Sequence, residues 1–142
     1  MLIKKLLAFA TFISISAFSV NVFAAQTPTI SQDELMKLLS VSEKGINATE
    51  EASNFIVLDV RTPVEFNRGH IKNAINISHN TVADNLSLLT QHKDKMIVVH
   101  CRSGRRAITA ESVLQDNGFS NIRHLEGDMN AWVKAKLPLI KE

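Results

Sequence analysis

The 142-residue sequence contains a single cysteine, Cys101, so no disulfide can close within the chain. Its five histidines include no pair at ligand spacing, and one cysteine cannot complete a zinc set, so metal is taken as absent. An excess of one charge is also missing. The formal net charge is +2, with Lys4 and Lys5 at the extreme N-terminus, and the rest of the chain balances. That leaves no electrostatic footprint for nucleic acid. No charged residue occurs between Lys5 and Asp33. The two lysines, the apolar stretch Leu6 to Val20 and the small residues Ala24 and Ala25 form the three-part pattern of a secretory signal peptide. Val22 and Ala24 suit the positions before a cut, which is placed after Ala24. A retained membrane anchor is the alternative, because the uncharged run is long enough to span a bilayer. Four Ser/Thr within the apolar part and the small-residue exit favour cleavage, and no cysteine follows it to carry a lipid. Residues 1–24 are therefore read as a leader. Residues 25–142, about 118 in all, suit one domain with one core and leave no room for a second. The mature chain is expected to be periplasmic or otherwise exported, with no stable membrane association once the leader is cut.

What the chain does have is a strand and helix alternation. Gln26 to Ile30 is an extended lead-in, and Ser31 to Glu34 is a capping-box signature. Leu35, Leu38 and Leu39 follow at helical spacing, predicting a helix from Gln32 to about Ser40. The polar stretch 42–54 reads as a surface loop or partly helical connection. Phe55 to Val60 is a short apolar run typical of a buried strand. Thr62 and Pro63 then cap and open a short helix holding Val64, Glu65 and Phe66. Ala74 to Ile77 reads as a strand, Val82 to Leu89 as a helix and Gln91 to Lys95 as a charged turn. Met96 to His100 is the central strand. A helix from about Arg106 to Asn117 ends at Gly118, and Ile122 to Leu125 and Asp128 to Lys134 supply a last strand and helix before Pro138. The alternation implies an α/β domain with a mostly parallel central sheet and helices on both faces.

The focus of the chain is Cys101 to Arg106, CRSGRR, where the strand MIVVH turns into a helix. The first N–H groups of a helix lack intrahelical partners, and the macrodipole adds roughly half a positive charge there. Arg102, Arg105 and Arg106 bring further positive charge, and Gly104 lets the loop curl with its amides inward. A sulfur at that point is favoured as thiolate. In an oxidising compartment an exposed thiol is a liability unless it is used. The bland alternative is a small buried hydrophobe. His100 adjoins Cys101, yet neighbours on an extended strand point to opposite faces, so it is a poor base for that thiol. His70 reads as a hydrogen-bonded structural residue.

CRSGRR at a strand-to-helix turn resembles the active-site loop of rhodanese-like domains. The resemblance extends through DVR at Asp59 to Arg61, EF at Glu65 and Phe66, GHI at Gly69 to Ile71, and NI at Asn76 and Ile77. Trp132 is similar to a tryptophan near the end of many such domains, with a core role expected. The family usually has a glycine where this chain has Asn73, which also tolerates a left-handed backbone. It often has two glycines where this chain has Glu126 and Gly127. The resemblance implies a single rhodanese-like domain whose Cys101 carries a persulfide. Sulfane sulfur passes from thiosulfate or a similar anion to cyanide, a thiol or a protein thiol, without a cofactor. Cys101 is then the catalytic residue, and Arg102, Ser103, Gly104, Arg105, Arg106 and Arg61 bind substrate. Arg102 and Arg105 are suited to the donor oxyanion and the sulfite leaving group. Arg106 either joins them or turns back to Asp59. Asp59, Arg61 and Glu65 are also readable as ion pairs bracing the loop. Two rivals remain: a sulfur-relay or binding module serving a protein partner, and a cysteine phosphatase or arsenate reductase. The phosphatase signature has five residues between cysteine and arginine, whereas Cys101 and Arg106 enclose four.

Overall fold

A computed structural model of the chain describes residues 26–44 and 54–141; the expected leader, 1–24, and most of the expected polar connection, 45–53, lie outside these residues. The elements, in chain order, are β1 (Thr29–Ile30), α1 (Gln32–Lys44), β2 (Phe55–Asp59), α2 (Pro63–Asn67), β3 (Ile75–Asn76), β4 (Met96–His100), α3 (Arg105–Asp116), β5 (Ile122–Leu125) and α4 (Asp128–Lys134). The strands form one sheet in the order β1-β5-β4-β2-β3, and every pairing is parallel. This is the expected architecture, and it brings the C-terminal ends of β2, β4 and β5 to one edge, where open parallel sheets collect ligands. The register sets Asp59 beside His100, so Cys101 emerges one residue beyond the middle of that edge.

The alternation of side chains along β4 sorts the core into two layers. Ile97, Val99 and Cys101 lie on the face packed by Ala107, Ala110 and Leu114 of α3, with Val82 and Leu89 beside them. Val98 and Val57 lie on the other face, under Leu35 and Leu39 of α1 and Met129 and Trp132 of α4. Trp132 is 1% exposed, and its indole N–H donates to the Pro138 carbonyl at 2.9 Å, satisfying the polar end of a core residue.

Local differences from the sequence reading have local causes. Ser31 Oγ accepts the Glu34 N–H at 3.2 Å as the capping signature predicts, but α1 continues to Lys44, because no helix breaker occurs before Gly45. The expected helix at Val82 to Leu89 is instead a 3-10 segment, Ala83–Leu88, with Asn85 outside helical angles, followed by a second short turn at Thr90–His92. Polar side chains there bond nearby carbonyls: Asn85 Nδ2 donates to Thr81 O at 2.8 Å and Thr90 Oγ1 to Leu86 O at 3.2 Å. Such bonds compete with regular helix. The lead-in before Ser31 becomes an edge strand through its pairing with β5. Asn73 adopts φ 60°, the left-handed conformation that asparagine tolerates. His70 Nδ1 lies 3.1 Å from the Phe66 carbonyl and its ring stacks on Phe66, a structural role.

Candidate active site

The chain has only Cys101 to Gly104 in which to turn from β4 into α3. Gly104 makes the turn possible: its φ is 96°, a conformation L side chains resist. Its N–H then donates to Cys101 Sγ at 3.1 Å. A Cβ at this position would stand 3.2 Å from Asp128 Oδ2, so a side chain there would also press on that carboxylate. Cys101 is 1% exposed, and its sulfur lies at the base of a cavity of about 300 Å³ lined by Glu65, Arg102, Ser103, Arg105 and Arg106. Arg102, Ser103 and Arg105 are exposed on its rim.

Arg106 is fixed by α2. Thr62 caps that helix and Glu65, three positions on, closes a capping box: Thr62 N–H and Oγ1–H donate to Glu65 Oε2 at 3.0 and 2.9 Å. The same carboxylate takes Arg106 Nη1 at 2.7 Å and Nη2 at 2.8 Å, a bidentate pair. These bonds from Arg106, aided by those from Thr62, hold the Glu65 pKa down to about 2 despite partial burial. Arg106 is correspondingly pushed up, chiefly by Glu65 and to a smaller extent by the Cys101 sulfur. The alternative return of Arg106 to Asp59 is therefore corrected. Asp59 is fully buried and already occupied: it accepts the Arg61 backbone N–H at 3.0 Å, Nε at 2.9 and 3.0 Å, and Nη2 at 2.5 Å. Arg61, read from the sequence as a substrate-binding candidate, sits 6% exposed with Nη2 also on the Gly69 carbonyl at 2.9 Å. It does not line the Cys101 cavity, but a neighbouring one.

The back of the loop is held by α4. Met129 N–H donates to Cys101 O at 3.2 Å and Asn130 N–H to Arg102 O at 3.0 Å, while Asp128 Oδ1 accepts the Cys101 N–H at 2.7 Å. Both ends of the Cys101 residue are thereby clamped. Asp128 Oδ2 contacts His124 Nε2 at 3.1 Å, and His124 Nδ1 contacts Glu111 Oε1 of α3 at 2.5 Å. Hydrogen bonds to Asp128 and Glu111 raise the His124 pKa to about 10, so the imidazole is a cation between two carboxylates. His100 is different. Burial pushes its pKa down, its Nε2 has no hydrogen-bond partner, and its Nδ1 lies 3.3 Å from the Cys101 carbonyl. Among the described residues no group of three or more His, Cys, Asp or Glu is arranged to hold a metal ion.

A family model described as a rhodanese-like domain matches residues 42–135. The chain belongs to the rhodanese-like domain family. A solved rhodanese-related protein from Thermoplasma volcanium superposes with a TM-score of 0.65 at 28% identity, over 81% of this chain and 99% of that one. A rhodanese-like domain protein from Staphylococcus aureus gives 0.60 at 29%, over 75% and 91%. Among curated sequences, a protein named tRNA uridine(34) hydroxylase from Enterobacter sp. (strain 638) is 29% identical over 104 residues, 70% of this chain. This chain spans only 29% of that relative's length.

Within this rhodanese-like domain, the sequence reading missed the cluster behind the loop. Glu111, His124 and Asp128 are scattered in sequence and carry no local pattern. One signal was available. The resemblance placed the family's glycine pair at Glu126 and Gly127, but the two consecutive left-handed residues are Gly127, φ 70°, and Asp128, φ 53°. An aspartate thus holds the second of the two left-handed positions. Aspartate tolerates that backbone better than most residues, and here its carboxylate gains the Cys101 N–H and His124. The sequence pattern T-x-x-E at Thr62 and Glu65 marks the capping box, and the reading of Asp59, Arg61 and Glu65 as bracing ion pairs fits the Asp59–Arg61 and Glu65–Arg106 pairs.

Proposed function

We propose that the protein is a sulfurtransferase of the thiosulfate type. The observation that carries this reading is the Cys101 sulfur, bonded to the Gly104 amide at the base of a small cavity rimmed by Arg102 and Arg105. The thiolate attacks the outer sulfur of thiosulfate. A Cys101 S–S bond forms, the donor's S–S bond breaks, and its electron pair leaves on sulfite. Arg102 and Arg105 have no ion-pair partner among the described residues, which suits them to the donor's oxygens and the departing sulfite. Cyanide or a thiol then attacks the outer sulfur, and the pair returns to Cys101 Sγ. The product is thiocyanate or an acceptor persulfide, and no cofactor is required.

Two features weigh against a phosphatase. Only four residues separate Cys101 from Arg106, and both terminal nitrogens of Arg106 are engaged by the Glu65 carboxylate. The hydroxylase activity in the Enterobacter relative's name belongs to a much longer protein, and we carry no tRNA activity over to this chain. Export is part of the same proposal: the leader motif at 1–24 supports action in the periplasm or outside the cell after cleavage, testable by N-terminal sequencing of the fractionated protein.

The deciding experiment is intact mass of the mature protein after thiosulfate, with and without cyanide, beside Cys101→Ser. A gain of about one sulfur mass, removed by cyanide and absent from the variant, is the expected outcome. No adduct with thiosulfate or polysulfide on a thiol that still alkylates would overturn the reading.

A further inference from the structure

Beside the Cys101 cavity lies a wider groove of about 400 Å³, and Glu65 and Arg102 line both, so the two are contiguous. Three arginines face the groove: Arg61, Arg68 and Arg102. Arg61 is more than nine-tenths buried and braced from behind by Asp59 and Gly69 through Nε and Nη2, and no acceptor for its Nη1 occurs among the described residues. Arg68 and Arg102 are exposed and likewise have no ion-pair partner among the described residues. The acids nearby are already used, Asp59 by Arg61 and Glu65 by Arg106. The apolar part of the lining is made by Met129, Leu139 and Val133, which is 55% exposed.

This shape exceeds what either small reactant needs. The donor oxyanion is served by the arginines around the sulfur, and cyanide uses no apolar wall. We propose that the groove binds the carboxylate-bearing body of a small thiol acceptor, its carboxylates on Arg61 and Arg68, its carbon skeleton against Val133 and Leu139, and its sulfur reaching past Arg102 to Cys101. The inference rests on the sulfurtransferase reading for its chemistry. The acceptor thiolate attacks the outer sulfur of the Cys101 persulfide, that S–S bond breaks with its electron pair returning to Cys101 Sγ, and the acceptor leaves as its own persulfide. No external oxidant or reductant is consumed.

The test compares discharge of the persulfide by mercaptosuccinate, 2-mercaptoethanol and cysteamine at matched thiolate concentrations and low salt. A charge-assisted contact with an arginine predicts that the dicarboxylate is about 10-fold more efficient than the neutral thiol, with the cationic thiol slowest. In Arg68→Gln, an exposed position at the end of α2, that preference falls to about 2-fold. A separate measurement needs no sulfur transfer: succinate titrated into the unmodified protein shifts the amide resonances of Gly69, Arg102 and Val133. Should thiosulfate fail to form a persulfide, the succinate titration still decides whether the groove binds carboxylates. Thiols that discharge irrespective of charge, a preference that survives Arg68→Gln, or succinate that leaves those resonances unmoved would each overturn the assignment.

Discussion

Replacing His124 by glutamine removes the cation between Glu111 and Asp128, both only 3% exposed, and the consequence follows from linkage. A histidine whose folded pKa is raised stabilises the fold fully below its ordinary value and loses that contribution as pH rises through the folded value. Here the window runs from 6.5 to about 10. At about 1.36 kcal/mol per pKa unit, that interval sets a ceiling of about 5 kcal/mol. The imidazole keeps 16% side-chain exposure, and solvent reduces the effect. Breaking a buried charge pair typically costs about 3 kcal/mol or somewhat more, so His124→Gln is expected to lose about 3 kcal/mol near pH 6.5, a melting point lower by about 10 °C. Urea unfolding of both proteins from pH 6 to 10.5, under reducing conditions, reads the difference. The gap should narrow progressively above pH 6.5 and nearly close by about pH 10. A gap that stays level across the range would refute the cationic bridge, and a gap below about 0.5 kcal/mol at pH 6.5 would refute its contribution altogether.

Two further substitutions probe the front of the loop. Glu65→Gln should destabilise by about 1–2 kcal/mol, because the pair it breaks is about one-quarter exposed on each side and partly screened. Glu65 has a depressed pKa, so its contribution is present above 4.5 and is lost as pH falls through about 2. Thermal melts should therefore separate the two proteins at pH 7 and converge toward pH 2.5; an undiminished separation there would contradict the Glu65–Arg106 assignment. Gly104→Ala forces a side chain into φ 96° and against Asp128, at a cost of about 1–2 kcal/mol. It also moves the amide on Cys101 Sγ, so alkylation by iodoacetamide should slow by about 10-fold. Wild-type alkylation kinetics in that variant would remove the Gly104 amide from the mechanism.

How much of this was legible in the sequence depended on whether the signal was local. MIVVH and FIVLD are apolar runs that specify buried strands by themselves, and CRSGRR placed the reactive sulfur between strand and helix. The pairing of charges was not local. From sequence, Arg106 could turn to Asp59 or elsewhere; the outcome depends on Arg61, which sits two residues after Asp59 and saturates it, and on α2 presenting Glu65 across the cavity. The 3-10 segment near Asn85 was misread because Leu86, Leu88 and Leu89 mimic a helical face, while competition from polar side chains for the backbone is invisible in a hydrophobic pattern. The His124 cluster was missed for the same reason as the Arg106 pairing: α3, β5 and α4 contribute one residue each, and only the fold assembles them.

The division among the arginines gives the site its logic. An anionic sulfur needs positive potential, yet unpaired arginines packed around one loop repel each other and leave the backbone free to move. Here Arg106 is consumed by Glu65, and Arg61 is braced by Asp59 while still lining the groove, whereas Arg68, Arg102 and Arg105 stay exposed at the mouth of the cavities. Behind the loop, a carboxylate bonded to the Cys101 N–H would by itself oppose negative charge on the sulfur. The His124 cation beside Asp128 offsets that charge, so Asp128 can anchor the Cys101 backbone without imposing its full field on the reacting atom. An aspartate in a backbone conformation usually left to glycine is therefore tolerable only with its histidine, and the two should be exchangeable only together. Asp128→Gly combined with His124→Gln should accordingly cost less stability than the sum of the single changes.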